Sequence, residues 1–482
     1  MNPLDLHALG RRSFLQSAGM SMAGLTLSGA FDGNALFASR LEAPLAPVPK
    51  QIPAKAKSCI FLYMYGGPSQ MDLFDYKPEL QKNDGKSIEM EIRRRDVRPS
   101  TLLGSKRTFR QWGRSGLWCS DALPHIARHM DKLAVIKSLY MDSFAHGSAN
   151  LQMNSGRAIQ GYPALGSWVG YGLGSANPNL PGFVVMLDPR GGPIPGAANW
   201  ASGFMPAAYQ GTVLRSTGNP ILNLEPESGI SRRSQGERIA FINQLNRRHQ
   251  KGREEYTELA ARIASYDLAY QLQTSAPEAL NIDQEDDATK ALYGFNEPKA
   301  DHALAIEPSH FGRQCLIARR LVERGTRFVQ LYSGGGHQQQ NWDAHFGVEE
   351  NLKIHGPEID KPIAGLLTDL ERRGLLDETL VIWGGEFGRQ PVSQGDNGGR
   401  DHNPKGFTYW MAGAGVKPGI SYGETDPLGH EAAADRHHIR DLHATILHLM
   451  GLDHEALTYH YGGLDQKLTG VVPAEVIRGV LA

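Results

Sequence analysis

The 482-residue chain carries 50 Lys plus Arg against 51 Asp plus Glu, and this balance excludes the broad basic footprint of a nucleic-acid-binding protein. Its three cysteines, Cys59, Cys119 and Cys315, are odd in number and far apart, which excludes a disulfide framework and a zinc–thiolate site. Any metal must therefore be held by oxygen and imidazole ligands.

Gly10-Arg11-Arg12-Ser13-Phe14-Leu15-Gln16 is a twin-arginine export signature, and the weakly apolar run over 17–30 suits the segment that follows it. Residues 1–43 are read as signal peptide and tether, with cleavage near Ala38 or Ala43 and delivery to the periplasm or the cell exterior. No other stretch approaches the ~20 apolar residues of a membrane span, so no integral span is expected after cleavage. Residues 54–482 are expected to form the main domain, with an insertion over about 189–300.

Ser58-Cys59-Ile60-Phe61-Leu62-Tyr63-Met64-Tyr65 reads as a buried strand ending in a turn at Gly66-Gly67. Residues 77–117, with a basic cluster at 93–95, read as a solvated excursion. Further strands are expected over 133–136, 182–187, 327–332, 379–383 and 407–412, and helices over 315–324, 358–373 and 441–450. The Gly/Pro-rich stretch 189–220 is a long loop, either a lid or an open groove floored by Trp200, Phe204 and Tyr209. Residues 231–275 read as helical. The strand–helix alternation implies an α/β fold with a mostly parallel sheet and helices on both faces.

Chemistry-bearing residues gather after the predicted strands: Asp72 with Asp75, Asp343 with His345, Glu386, and Asp401 with His402. In a parallel sheet such positions converge on one edge. Carboxylates and neutral imidazoles suit zinc, manganese, iron or magnesium, in one or two sites. A lone Asp-x-His reads more readily as a turn aspartate beside a surface histidine; the repeated placement at strand ends reverses that preference for the set. In the segment 435–443, His438 is a candidate for metal or substrate-anion binding, while Asp441 reads as a helix N-cap.

The segments Gly66-Gly67-Pro68-Ser69-Gln70-Met71-Asp72, Trp342-Asp343-Ala344-His345, Trp383-Gly384-Gly385-Glu386-Phe387-Gly388-Arg389 and Gly399-Arg400-Asp401-His402-Asn403-Pro404 resemble those of the bacterial family called domain of unknown function 1501. That family resembles, more distantly, the alkaline phosphatase and sulfatase superfamily. The resemblance implies a three-layer αβα sandwich and cleavage of a phosphate or sulfate ester at one or two divalent ions, zinc or another transition metal. It places Asp343, His345 and His402 at one ion, with Asp401 beside them. Glu386 and Asp72 fall to a second ion, which is one ligand short because Phe387 stands where a ligand is expected.

In the superfamily's register the nucleophile position, counted back from Ser155-Gly156, falls on His146, and Ser148 is the alternative. Arg157 and Arg389 are candidates for the substrate anion; a helix-end charge and an Asp396 partner are the competing readings. No Cys-x-Pro-x-Arg occurs, which excludes formylglycine chemistry. The implied function is an exported metal-dependent hydrolase-like protein acting on a small-molecule or glycan ester of sulfate or phosphate. The alternative is a non-catalytic binding protein that has lost the nucleophile.

Overall fold

Apolar residues on both alternating faces mark a strand covered on both sides, and Ser58–Met64 forms such a strand, β1, buried along its whole length. The structure is a computed structural model that describes residues 45–482 apart from 94–95, 219, 221–228, 252–262 and 264–276. The twin-arginine segment, and most of the helix expected beyond 252, lie outside the described residues. The main sheet also contains β2 (Leu133–Tyr140), β3 (Phe183–Met186), β4 (Thr212–Leu214), β5 (Phe328–Ser333), β6 (Thr379–Gly384), β7 (Phe407–Ala412), β8 (Ile420–Tyr422) and β9 (His437–His438). Their order is β8-β2-β7-β6-β1-β5-β3-β4, with β9 pairing onto β2. Only β7 runs antiparallel to its neighbours, β6 and β2. The expected mostly parallel sheet is what forms.

Period-two alternation divides the apolar side chains between two cores. Ile60, Leu62 and Met64 face one core with helices α4 (Pro308–Glu323) and α5 (Val348–Arg372). Cys59, Phe61 and Tyr63 face the other, with α1 (His146–Ser155), α2 (Leu165–Leu173) and α6 (Ile439–Leu449). The result is a three-layer αβα sandwich. Helix α3 (Arg232–Gln250) lies within the segment expected to be helical, and β4 adds an edge strand within the stretch expected to be loop.

Three local expectations need correction. Helix α5 starts at Val348, well before the expected 358, and runs through Pro357 and Pro362. The apolar face formed by Val348, Leu352, Ile359, Ile363, Leu366 and Leu370 holds the helix continuous through both prolines. Residues 77–117 are not simply a solvated excursion; they contain two antiparallel hairpins, Ser87–Arg93 with Asp96–Thr101 and Phe109–Trp112 with Leu117–Ser120. The loop aromatics do not floor a groove: Trp200 and Tyr209 are buried, and their rings pack on Tyr332 and Tyr171.

The loop's entry is fixed by a buried ion network. Arg190 donates to both oxygens of Asp188 and to both of Glu358, while Asp188 also accepts from the Gly334 N–H and His355 meets Glu358. The network ties the ends of β3 and β5 to α5, at the edge that carries the site. Arg190→Met leaves two buried carboxylates short of their cation and is expected to destabilise the fold by about 3–5 kcal/mol. Urea denaturation measures this, and a loss under 1 kcal/mol would show the network to be dispensable.

Candidate metal centre

Strands β1, β2, β5 and β6 present their carboxyl ends at one edge, and four side chains meet there. Their ligand atoms, from His146, Asp343, His345 and His402, all lie within 4.8 Å of one another. His146 opens helix α1 after β2. Asp343 and His345 sit in the loop after β5, where the Asp343 N–H donates to Asn341 Oδ1 at 2.8 Å. His402 lies on a short ribbon in which Gly388–Arg389 pairs with His402–Asn403.

The close approach depends on missing Cβ atoms. Gly66, at φ +114°, packs against the 341–343 backbone so tightly that a Cβ would lie 2.5 Å from the Asp343 nitrogen. At Gly399 a Cβ would lie 1.8 Å from the His345 carbonyl oxygen. These positions tolerate only glycine.

Each imidazole is held from behind. His402 Nδ1 donates to the Phe144 carbonyl at 2.7 Å, His345 Nδ1 to Gln394 Oε1 at 2.5 Å, and His146 Nδ1 to Glu386 Oε1 at 2.6 Å. Each Nδ1 faces an acceptor and so carries a hydrogen, which turns the Nε2 of each ring inward; in the neutral tautomer that Nε2 is a bare lone pair. Two of these face each other, with His345 Nε2 2.8 Å from His402 Nε2. Asp343 Oδ1 lies 2.9 Å from the first and 3.1 Å from the second. His146 Nε2 lies 3.2 Å from Asp343 Oδ2 and makes no hydrogen bond.

Lone pairs converging on a carboxylate repel unless a cation lies among them. A tetrahedral zinc with bonds of about 2.0–2.1 Å has ligand-to-ligand edges of roughly 3.3 Å. The triangle of His345 Nε2, His402 Nε2 and Asp343 Oδ1 is slightly tighter than such a face, and the Nδ1 contacts are the outer hydrogen bonds that orient metal-binding histidines. The donor set therefore fits a divalent ion of the zinc class.

Electrostatics separate the groups, with His146 favouring its protonated form when no cation is present and His402 its neutral form. Burial pushes the Asp343 carboxyl up, but Arg389 and the three imidazoles outweigh it and hold the group well below the usual carboxylate range. Burial lowers His146, but Asp343 and Glu386 overcome it and push it up to about 9. Burial lowers His402, with Arg389 and His146 adding to the effect, so its Nε2 is kept free of a proton.

Several expected site residues take other roles. Asp72 is not a ligand: its carboxylate is buried against Arg400 Nε at 2.9 Å and accepts from Ser69. Arg389 is not free for a substrate anion and does not pair with Asp396. It is fully buried, with its guanidinium on the carbonyls of Gly66, Gly67, Trp342 and Arg400 and, at 2.7 Å, on Asp343 Oδ1. Glu386 stands behind His146, accepting also from the Gly66 N–H at 3.0 Å. The Phe387 ring lies 4.4 Å from that of His402 and 5.0 Å from that of His146, so an apolar wall stands where a second ion was expected to draw a ligand.

Asp401 Oδ1 accepts from the His402 N–H and lies 4.0 Å from His345 Nδ1. Ser148 Oγ is engaged with Ser143 and the Ala145 carbonyl. Arg157 lies over the Tyr162 ring. His438, not Asp441, is the N-cap of α6, Asp441 completing a capping box, and His438 Nε2 meets Asp142 at 3.1 Å. A second group of His437, Asp441 and Glu475 comes together there, but Asp441 is spent on the cap and Glu475 is exposed.

Sequence reasoning did not single out Gln394, the Phe144 carbonyl or Phe346. Nothing in local periodicity marks Gln394 as the His345 partner, since only the fold brings them together. The mouth of the site is an open cleft of about 430 Å³ lined by Asp343, His345, Phe346, Gln394 and Asp396, among others.

Comparison with curated proteins gives no match. Among solved structures, the chain is similar to the lipoteichoic acid synthase LtaP from Listeria monocytogenes, at 8% identity and a TM-score of 0.39, covering 91% of this chain and 80% of that one. It is similar to the PsFucS1 sulfatase from Pseudoalteromonas sp., at 11% identity and a TM-score of 0.35, covering 91% and 76%. It is also similar to the phosphonate monoester hydrolase SpPMH from Silicibacter pomeroyi, at 13% identity and a TM-score of 0.31, covering 68% of each chain. The family model described as "Protein of unknown function (DUF1501)" matches residues 56–481, and the chain belongs to that family.

Proposed function

We propose that the protein is an exported, metal-dependent hydrolase acting on a phosphate or sulfate ester, with one divalent ion held by Asp343, His345 and His402. The observation that carries this is the convergence of imidazole Nε2 atoms on one carboxylate, each ring locked through Nδ1. Export rests on the twin-arginine signature at Arg11-Arg12. Bound there, the ion supplies Lewis acidity toward a phosphoryl or sulfuryl oxygen and neutralises its charge.

The remaining roles fall to the chain itself. His146 Nε2 is oriented by the Glu386 carboxylate and lies beside Asp343 Oδ2 rather than Oδ1, so it flanks the ligand triangle. In that place it serves as the proton carrier or the nucleophile, an imidazole with its other nitrogen fixed by a carboxylate. Helix α1 starts at His146 with Ala145 as its N-cap, and no side chain caps the first turn. Its N–H groups suit an anionic ester. The Phe387 ring shields the far side of His146 from water.

A second reading, a binding protein with a closed four-ligand ion, is favoured by one observation: His146 Nε2 is close enough to complete the donor set. The two differ in what His146→Ala does. As proton carrier, the variant keeps its metal and loses about 10²–10⁴-fold in turnover of aryl phosphate or sulfate. As fourth ligand, it loses metal as well.

Elemental analysis of protein purified without chelator is expected to give one equivalent of a transition metal. His345→Ala and His402→Ala are each expected to abolish it. A wild-type protein that takes up no metal even on reconstitution would sink the hydrolase reading.

A further inference from the structure

Helix α3 (Arg232–Gln250) is turned the opposite way from an ordinary surface helix, which hides its apolar stripe and wets its polar one. Its half-buried residues Gln235, Ile239, Asn243 and Asn246 share one side, and all but Ile239 are polar. Phe241, Ile242 and Leu245 point elsewhere and are 59%, 44% and 46% exposed. Residues three and four apart share a helix face, so Phe241 and Leu245 form one stripe, with Ile242 at its border. Three large apolar side chains left together in water mark a contact surface.

The same helix is strongly basic. It carries Arg232, Arg233, Arg238, Arg247 and Arg248 against one acid, Glu237, and Glu237 is already held by Arg233 at 3.1 Å. The whole chain is nearly neutral, so this charge is concentrated locally. Arg238 lies three residues before Phe241 and Arg248 three after Leu245, so an exposed arginine stands at each end of the apolar stripe. From one arginine to the other the stripe runs about 15 Å.

That pattern selects the partner by charge. A second copy of the helix would set five arginines against five, and a neutral apolar surface would leave the arginines without counter-charge. An anionic lipid surface satisfies both parts: the apolar side chains enter the boundary between headgroups and acyl chains, while the arginine heads reach the lipid phosphates. No helix among the described residues is long and apolar enough to cross a membrane, so α3 lies on the surface and does not span it.

We infer that α3 docks the protein on an anionic phospholipid membrane, with Phe241, Ile242 and Leu245 inserted and Arg238 and Arg248 at the phosphates. The inference is independent of the chemistry at the metal centre, to which α3 contributes no ligand.

The test is co-sedimentation of the full chain with vesicles of phosphatidylglycerol and of phosphatidylcholine. The wild type is expected to bind phosphatidylglycerol at least tenfold more tightly, and less so as salt is raised. Arg238→Gln/Arg248→Gln is expected to lose about tenfold or more on phosphatidylglycerol, since each arginine beside an anionic surface contributes roughly fivefold. Phe241→Ser/Leu245→Ser is expected to lose at least as much through the lost apolar insertion. Residues 1–43 are the same in all three proteins, so the difference between them reads the helix alone. Both variants change exposed positions and are expected to melt within about 2 °C of wild type.

Equal binding by the wild type and the variants, or no preference between the two lipids, overturns the inference. So does a wild-type dimer in analytical ultracentrifugation that Phe241→Ser/Leu245→Ser dissolves while neither protein binds vesicles, which assigns the face to a second copy.

Discussion

The buried pair of Arg389 and Asp343 is the tie on which the site depends. A guanidinium with no exposure to water must have its donors satisfied, and Arg389 places them on carbonyls of the β1 turn, of the loop after β5 and of the ribbon carrying His402. Its remaining partner is Asp343 Oδ1, the oxygen that faces His345 and His402. One side chain therefore fixes three loops and polarises the carboxylate at their meeting point. A lysine could not do this, because it lacks the planar fork that reaches several acceptors at once.

Much of the fold was legible because strands buried on both faces write themselves as continuous apolar runs. β1, β5, β6 and β7 lie within a residue or so of their expected limits. Asp343, His345 and His402 were legible as a group for the same reason, since each follows a recognisable strand or turn. What was not legible depends on partners far away in sequence. Asp72 reads as a strand-end carboxylate, and only the fold reveals its Arg400 partner 328 residues on. Arg389 has Asp396 as its obvious local partner, yet the pair that forms crosses 46 residues to Asp343.

Glu386 shows the same limit in a subtler form. Its place at the end of β6 suggests a ligand, and its geometry makes it a support: it accepts from the Gly66 N–H and from His146 Nδ1. Both partners come from other strand ends, and the turn that aims the Gly66 N–H holds residue 66 at φ +114°, a conformation that favours glycine.

The division of labour within Asp343 bears on what an ion held there would face. Its Oδ1 belongs to the triangle with His345 and His402, and its Oδ2 is turned to His146. Arg389 stands behind Oδ1, and Gln394 and Phe144 hold the other two rings from outside, so an ion held by the triangle would be approached from the side toward His146. Phe387 closes the apolar flank of that opening and the cleft past Phe346 opens its other side. A group entering from the cleft would meet His146 Nε2 and the ligand triangle together, the juxtaposition on which the proposed ester cleavage depends.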